Sequence, residues 1–148
     1  MTTQPHDHEP SDPGHEHANP PEPPVGAIVW TDLSVPDAGP LRDFYADVVG
    51  WQAHEQPMAG GYSDFIMALP DGEPIAGICY RRGANEHAPT AWLPYVRVDH
   101  LDEALARVRA RAGTVLDGPR SGFAVITDPA GAHLALFDPH HATADDLE

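Results

Sequence analysis

A short apolar strand that runs into one amphipathic helix ending at glycine occurs twice in this chain. Sliding the first copy along the sequence by 63 residues superposes Leu33 on Val96, Val35 on Val98, Leu41 on Ala104, Tyr45 on Val108 and Gly50 on Gly113. A duplicated unit constrains the fold strongly, because each copy must present equivalent faces to equivalent neighbours. In the first copy Leu41, Phe44, Tyr45, Val48 and Val49 fall on one helical face. Asp37 stands where a cap belongs, Pro40 suits a first turn, and Gly50 supplies the left-handed stop. In the second copy Leu101, Ala104, Leu105, Val108 and Ala112 form the stripe, Gly113 ends it, and Arg107, Arg109 and Arg111 line the wet side.

Strand-like runs broken by turn residues follow each helix. They are Tyr62–Leu69, a Pro70-Asp71-Gly72 turn and Ile75–Arg81, then Thr114–Leu116, Phe123–Thr127, an Asp128-Pro129-Ala130-Gly131 turn and His133–Phe137. The order reads strand–helix–strand–strand–strand twice, over about residues 25–83 and 89–139, which is an α+β domain. A single copy leaves one sheet face uncovered, so the two copies are expected to share a core.

Outside that body the composition changes. Residues 1–24 hold seven of the 17 prolines, five acids, no base and no large apolar residue after Met1. Such a stretch buries too little surface to offset its chain entropy, so it is expected to be disordered, as is the shorter tail 140–148. His6, His8, His15 and His17 alternate with acids there and could hold Zn, Ni or Cu weakly, without a frame to orient the rings.

The charge balance is −15, with 8 arginines and no lysine. That excludes Schiff-base chemistry and a Walker-type phosphate loop, and it disfavours nucleic acid and anionic lipid as partners. The single Cys79 excludes an internal disulfide and a CxxC site. No apolar run is long enough for a membrane span and the N-terminus has no secretory pattern, so a cytoplasmic protein is expected.

The repeat resembles the vicinal oxygen chelate superfamily, which includes glyoxalase I, extradiol dioxygenases, fosfomycin-inactivating enzymes and bleomycin-binding resistance proteins. The residues that carry the likeness are Leu33-x-Val35, Phe44-Tyr45 and Gly50-Trp51, then Val96-x-Val98-Asp99 leading into Leu101-Asp102-Glu103-Ala104, and finally Asp128-Pro129-x-Gly131 with Leu134-x-Leu136. The resemblance implies paired βαβββ modules forming a curled mixed sheet around a central cavity, the glyoxalase-like fold, and often a homodimer. In catalytic relatives a divalent metal in that cavity chelates two neighbouring substrate oxygens. Carried over by position, the four metal-ligand sites fall on Trp30, Leu93, Ala135 and about Gly77, none of which binds a metal. No metal in the core and no cofactor are therefore expected.

Alternation sorts the strands. Leu33, Val35, Val96 and Val98 should face the helices. Trp30, Asp32, Ser34, Leu93, Tyr95, Arg97, Gly77, Cys79, His133, Ala135 and Phe137 should face the cavity. From these, Trp30, Asp32, Leu93, Tyr95, Arg97, His133, Ala135 and Phe137 are the candidate ligand-binding residues, since aromatic walls with sparse polar groups suit a small molecule. Arg97 and Asp32 could be a structural ion pair or rim charges, or Arg97 could anchor a planar anion. His133 could act as a general base or hydrogen-bond at the surface, and Tyr95 could donate a proton or fill space. Trp51 and Trp92 read as packing at the module junction, and Cys79 as an inert small hydrophobe.

Three functions fit these residues. One is a metal-free binder of a small aromatic or planar anionic molecule, of the resistance or sequestration type. Another is a lyase, isomerase or hydroxylase-like enzyme of the same superfamily, using Arg97, His133, Asp32 or Tyr95. The last is a metal-buffering protein that works through its histidine-rich tail.

Overall fold

The computed structural model describes residues 22–141. In chain order it comprises β1 (Ile28–Val35), α1 (Ala38–Val49), β2 (Gln52–Met58), β3 (Tyr62–Ala68), β4 (Pro74–Tyr80), β5 (Trp92–Arg97), α2 (Leu101–Ala110), β6 (Thr114–Arg120), β7 (Phe123–Thr127) and β8 (His133–Phe137). All eight strands join one open mixed sheet in the order β2-β3-β4-β1-β5-β8-β7-β6. This is the expected pair of βαβββ modules. Within each, the first strand lies parallel to the last, β1 on β4 and β5 on β8.

The modules meet along β1 and β5, which run antiparallel with Trp30 opposite Tyr95, Thr31 opposite Pro94 and Asp32 opposite Leu93. Because Trp30 and Leu93 are equivalent in the repeat, as are Asp32 and Tyr95, this register places a local two-fold between Thr31 and Pro94. The halves thus pair within one chain.

The expected shared core is replaced by two separate ones. Leu33, Val35, Ala38, Phe65, Met67, Ala76 and Ile78 pack beneath α1. Leu101, Leu105, Ala124, Ile126 and Leu136 pack beneath α2. Each helix covers one face of its own half-sheet, so what the halves share is the opposite, inner face. On α1 only part of the predicted stripe is used: Leu41 and Tyr45 join the core, while Phe44, Val48 and Val49 stay exposed.

The helix ends depart from simple capping. Asp37 makes no side-chain cap on α1, which begins at Ala38, ahead of Pro40. Gly50 does take the left-handed stop, at φ 78°, its N–H donating to the Ala46 carbonyl. In the second copy Ala112 takes the positive φ (66°) instead of Gly113. Gly113 is needed for close approach, since a Cβ there would meet Val108 Cγ1 at 2.8 Å and the Thr127 carbonyl at 2.9 Å. The α2 N-terminus is held by buried Asp138, whose Oδ2 accepts the Leu101 N–H at 3.2 Å. Acids Asp102 and Glu103 in its first turn and Arg107 and Arg109 in its last suit the helix dipole. Strand β2 leaves no apolar signature in the sequence because Gln52–Met58 is polar and exposed along most of its length.

Candidate functional site

The inner face of the sheet holds a cavity of about 220 Å³ between the halves. Asp32 and Ser34 reach it from β1, Leu93 and Tyr95 from β5, Phe123 and Val125 from β7, and Leu116, Asp117 and Arg120 from β6. The segment Asn85–Ala91, which carries the chain from one half to the other, contributes Asn85, His87, Ala88, Pro89 and Ala91. An adjoining hollow continues from Asp32 and Tyr95 to Trp30, Val29 and Phe137. The strand parity explains the first group: Trp30, Asp32, Leu93 and Tyr95 alternate away from the two helix-covered cores.

Asp32 is the centre of a hydrogen-bonded cluster. Its Oδ1 accepts the Trp30 indole N–H at 2.6 Å, and the Tyr95 hydroxyl also donates to its carboxylate. The carboxylate lies over Gly77, the residue opposite it on β4, where a Cβ would meet Asp32 Oδ1 at 2.3 Å. Beside it Cys79 hydrogen-bonds Asp64, whose Oδ1 accepts the Tyr80 N–H at 2.9 Å. Burial raises the Asp32 carboxyl above the ordinary carboxylate value, against the lowering effect of its two donors, and Asp64 adds to the rise. Burial likewise raises Asp64. It pushes the Tyr95 hydroxyl and the Cys79 thiol well up, with Asp32 reinforcing both. Cys79 is therefore a poor nucleophile, consistent with a space-filling role.

Three sequence-predicted residues lie elsewhere or serve the frame. Arg97 shares the inner parity but sits at the strand end, where the entering segment covers it. It is 5% exposed, donates to the Pro23 carbonyl at 3.1 Å, and lies 3.5 Å from Glu22 and 3.8 Å from Asp99. Arg97 neither pairs with Asp32 nor turns its guanidinium into the cavity. His133 is exposed at the far end of β8, opposite Thr127, and does not line the cavity. Ala135, opposite Tyr95, is fully buried in the inner face. Trp51 and Trp92 pack with Tyr45 under α1.

The cavity also contains residues that alternation on the first strands could not identify. Leu116, Asp117 and Arg120 lie on β6, which is longer than its apolar core Thr114–Leu116 suggested and carries register shifts that break strict alternation. Phe123 faces Tyr95, ring centroids 5.9 Å apart. Arg120 pairs with Asp117 and lies over the Phe123 ring at 5.6 Å. A paired arginine is thus present at the cavity wall, although not the one expected.

The donor set does not fit a divalent metal. The positions corresponding to Trp30, Leu93, Gly77 and Ala135 offer an indole, an alkyl chain, a hydrogen and a methyl group. Among the described residues no group of three or more histidines, cysteines or acids could hold a metal ion. His6, His8, His15 and His17 lie outside the described residues, as do most of the two predicted tails. Of those tails, Glu22 and His140 are described and face each other, Oε1 to Nε2 at 2.6 Å. No helix among the described residues is long and apolar enough to cross a membrane.

Comparison with known proteins agrees with this architecture. A family model described as a glyoxalase-like domain matches residues 29–137. The Mycobacterium bovis protein named "Putative glyoxylase CFP32" is 34% identical over 120 residues, covering 76% of this chain and 45% of its own. The chain thus spans about half the length of the curated relatives it matches. Among solved structures, a Streptomyces coelicolor methylmalonyl-CoA epimerase matches with a TM-score of 0.51 at 16% identity, over 80% of this chain and 100% of its own. A glyoxalase/bleomycin resistance protein/dioxygenase superfamily member from Vibrio splendidus 12B01 matches with a TM-score of 0.50 at 15% identity, over 74% and 96%. At those identities the likeness is one of fold.

Proposed function

Because this chain belongs to the glyoxalase-like domain family, we propose that it binds a small aromatic or planar molecule in the metal-free cavity between its halves. The observation that carries this reading is the cavity lining itself. Leu93, Tyr95, Phe123 and Val125 make an apolar wall, and a half-buried carboxylate, Asp32, sits at its edge. That is how a small-molecule site is built: broad apolar contact with few polar groups to orient the guest. The anionic ligand suggested by Arg97 loses its anchor, because that guanidinium is bound to Glu22 and backbone carbonyls. Titration of the full chain with a panel of aromatic and quinone-like compounds, followed by NMR, tests the reading. Shifts at the Trp30 indole, Tyr95 and Phe123 are expected; no response from any compound would remove it.

The Asp32–Tyr95 contact favours a second reading, an enzyme of the same fold that moves a proton. A half-buried carboxyl raised above its ordinary value is the kind of group that takes part in acid–base chemistry. If turnover of a bound compound is found, Asp32→Asn should abolish it while binding persists. Pairing with a second copy in a cytoplasmic setting belongs to the same proposal, supported by the exposed Phe44, Val48 and Val49 of α1 and by relatives with room for a second such domain. Sedimentation of the full chain checks it, with Val48→Asp expected to leave a monomer.

A further inference from the structure

The cavity edge carries a carboxylate that no cationic side chain among the described residues pairs with. Asp32 has two neutral donors, Trp30 from its own strand and Tyr95 from β5. Among the described residues no arginine or histidine nitrogen forms an ion pair with it. The nearby arginines have other partners: Arg97 has Glu22 and Asp99, Arg81 has Thr90, and Arg120 has Asp117. Asp64 on β3, linked through Cys79 of β4, places a second carboxylate on the same inner face. A half-buried acid with no cationic partner among the described residues is costly, and it stands beside the aromatic faces of Trp30, Tyr95 and Phe123.

We propose that the cavity takes a flat aromatic cation, its protonated nitrogen at Asp32 and its ring against the Tyr95–Phe123 wall. This rests on the reading of the cavity as a ligand site and names the chemistry of its guest. A neutral donor would add a third hydrogen bond to a carboxylate that already has two. An anion would meet Asp32, a group of its own sign, and the wall arginine, Arg120, already pairs with Asp117. A cation alone cancels the desolvated charge, gains from the ring faces, and is drawn toward a chain of net charge −15.

Three probes that share one ring system and differ in charge test this: 1-naphthylmethylammonium, 1-naphthalenemethanol and 1-naphthoate, titrated calorimetrically into the full chain at neutral pH. The ammonium should bind at least about tenfold more tightly than the alcohol, with the carboxylate weakest. Asp32→Asn should erase the ammonium's advantage over the alcohol, whereas Tyr95→Phe, which keeps the carboxylate, should preserve it. Equal affinity of ammonium and alcohol in the wild-type chain overturns the proposal and leaves the cavity reading intact, without relying on any variant to fold. An advantage that survives Asp32→Asn also overturns it. If none of the three probes binds, the cavity reading falls together with it.

Discussion

The two halves of this molecule are the same unit with opposite inner faces. The strand registers match Asp32 on Gly77 in one half with Tyr95 on Ala135 in the other. By the same repeat, Ser34 beside Cys79 answers to Arg97 beside Phe137. The first half therefore offers acids and small groups, Asp32, Asp64, Ser34, Gly77 and Cys79. The second offers Tyr95, Phe123, Val125, Ala135 and Phe137, and its cavity acid, Asp117, is paired with Arg120. Helix-covered faces stay alike because both must exclude water. The inner faces are free to diverge, so a duplicated scaffold can split one site into a polar edge and an apolar wall.

Exchanging equivalent residues tests how far that division goes, beginning where the two halves differ most in energy. Arg97 and Ser34 are both buried and occupy corresponding positions. Arg97→Ala strips the Pro23 and Val98 carbonyls of a donor and removes one of Glu22's two partners, leaving His140. Glu22 is half exposed and can be solvated, so the loss should fall short of that for a fully buried pair, at about 2–3 kcal/mol. Ser34→Ala should cost about 1 kcal/mol or less. Urea unfolding measures both. Ligand affinity should change little in Arg97→Ala, since that guanidinium does not line the cavity. A large affinity loss would return it to the role of an anchor.

Gly77 and Ala135 come next. The methyl of Ala135 is already accommodated, whereas Gly77→Ala puts a Cβ 2.3 Å from an Asp32 oxygen held by two donors. Either the carboxylate or the strand must move, costing about 1–2 kcal/mol and detaching Asp32 from Trp30. Chemical denaturation together with the Trp30 indole proton resonance reports both consequences. The reverse change, Ala135→Gly, should cost about 1 kcal/mol without touching that resonance.

Much of this was legible in the residues. The 63-residue repeat, the turn at Pro70-Asp71-Gly72 and the alternation of β1 from Trp30 onward and of β5 locate both modules and bring Trp30, Asp32, Leu93 and Tyr95 to one face. Alternation gives the face of a strand but not how far along it a cavity extends. Arg97 and His133 have the right parity and lie beyond the hollow, at strand ends. Strand β2 was faint because edge strands need no apolar face, and β6 was cut short because bulges interrupt its pattern. The wall residues Phe123 and Arg120 depend on how the sheet curls, and local periodicity does not encode that. That Trp30, Gly77, Leu93 and Ala135 stand at the family's ligand positions was readable from resemblance alone, while the Asp32 carboxylate resting over Gly77 required coordinates.

The acid of the first half also gives the halves different responses to pH. Burial raises the Asp32 carboxyl in the folded chain, so the native state holds that proton more tightly than the unfolded state. Its contribution favours folding most below the unfolded value and declines as pH rises through the raised folded one. Asp32→Asn removes that decline, so the variant should gain stability relative to wild type as pH moves from acidic to neutral. Thermal melts across that range give the difference. Tyr95→Phe, the change at the equivalent position, should leave the pH trend in place.

The smallest effect concerns the outer faces, where the halves look most alike. Tyr45 and Val108 are equivalent on the two helices and both pack on their own cores. Only Tyr45 carries a polar group there, and its hydroxyl accepts the Trp92 indole N–H at 3.0 Å while its ring stacks on Trp51. Tyr45→Phe keeps the ring contacts and deletes the acceptor, leaving the half-buried Trp92 N–H to find water. The cost should be about 0.5–1.5 kcal/mol, and the Trp92 indole proton should exchange faster with solvent. Phe44→Ala, one residue along on the exposed side of α1, should change stability by no more than about 0.5 kcal/mol. If Phe44→Ala cost as much as Tyr45→Phe, that side of α1 would be covered in solution, and the two helices would differ in their neighbours as well as in their side chains.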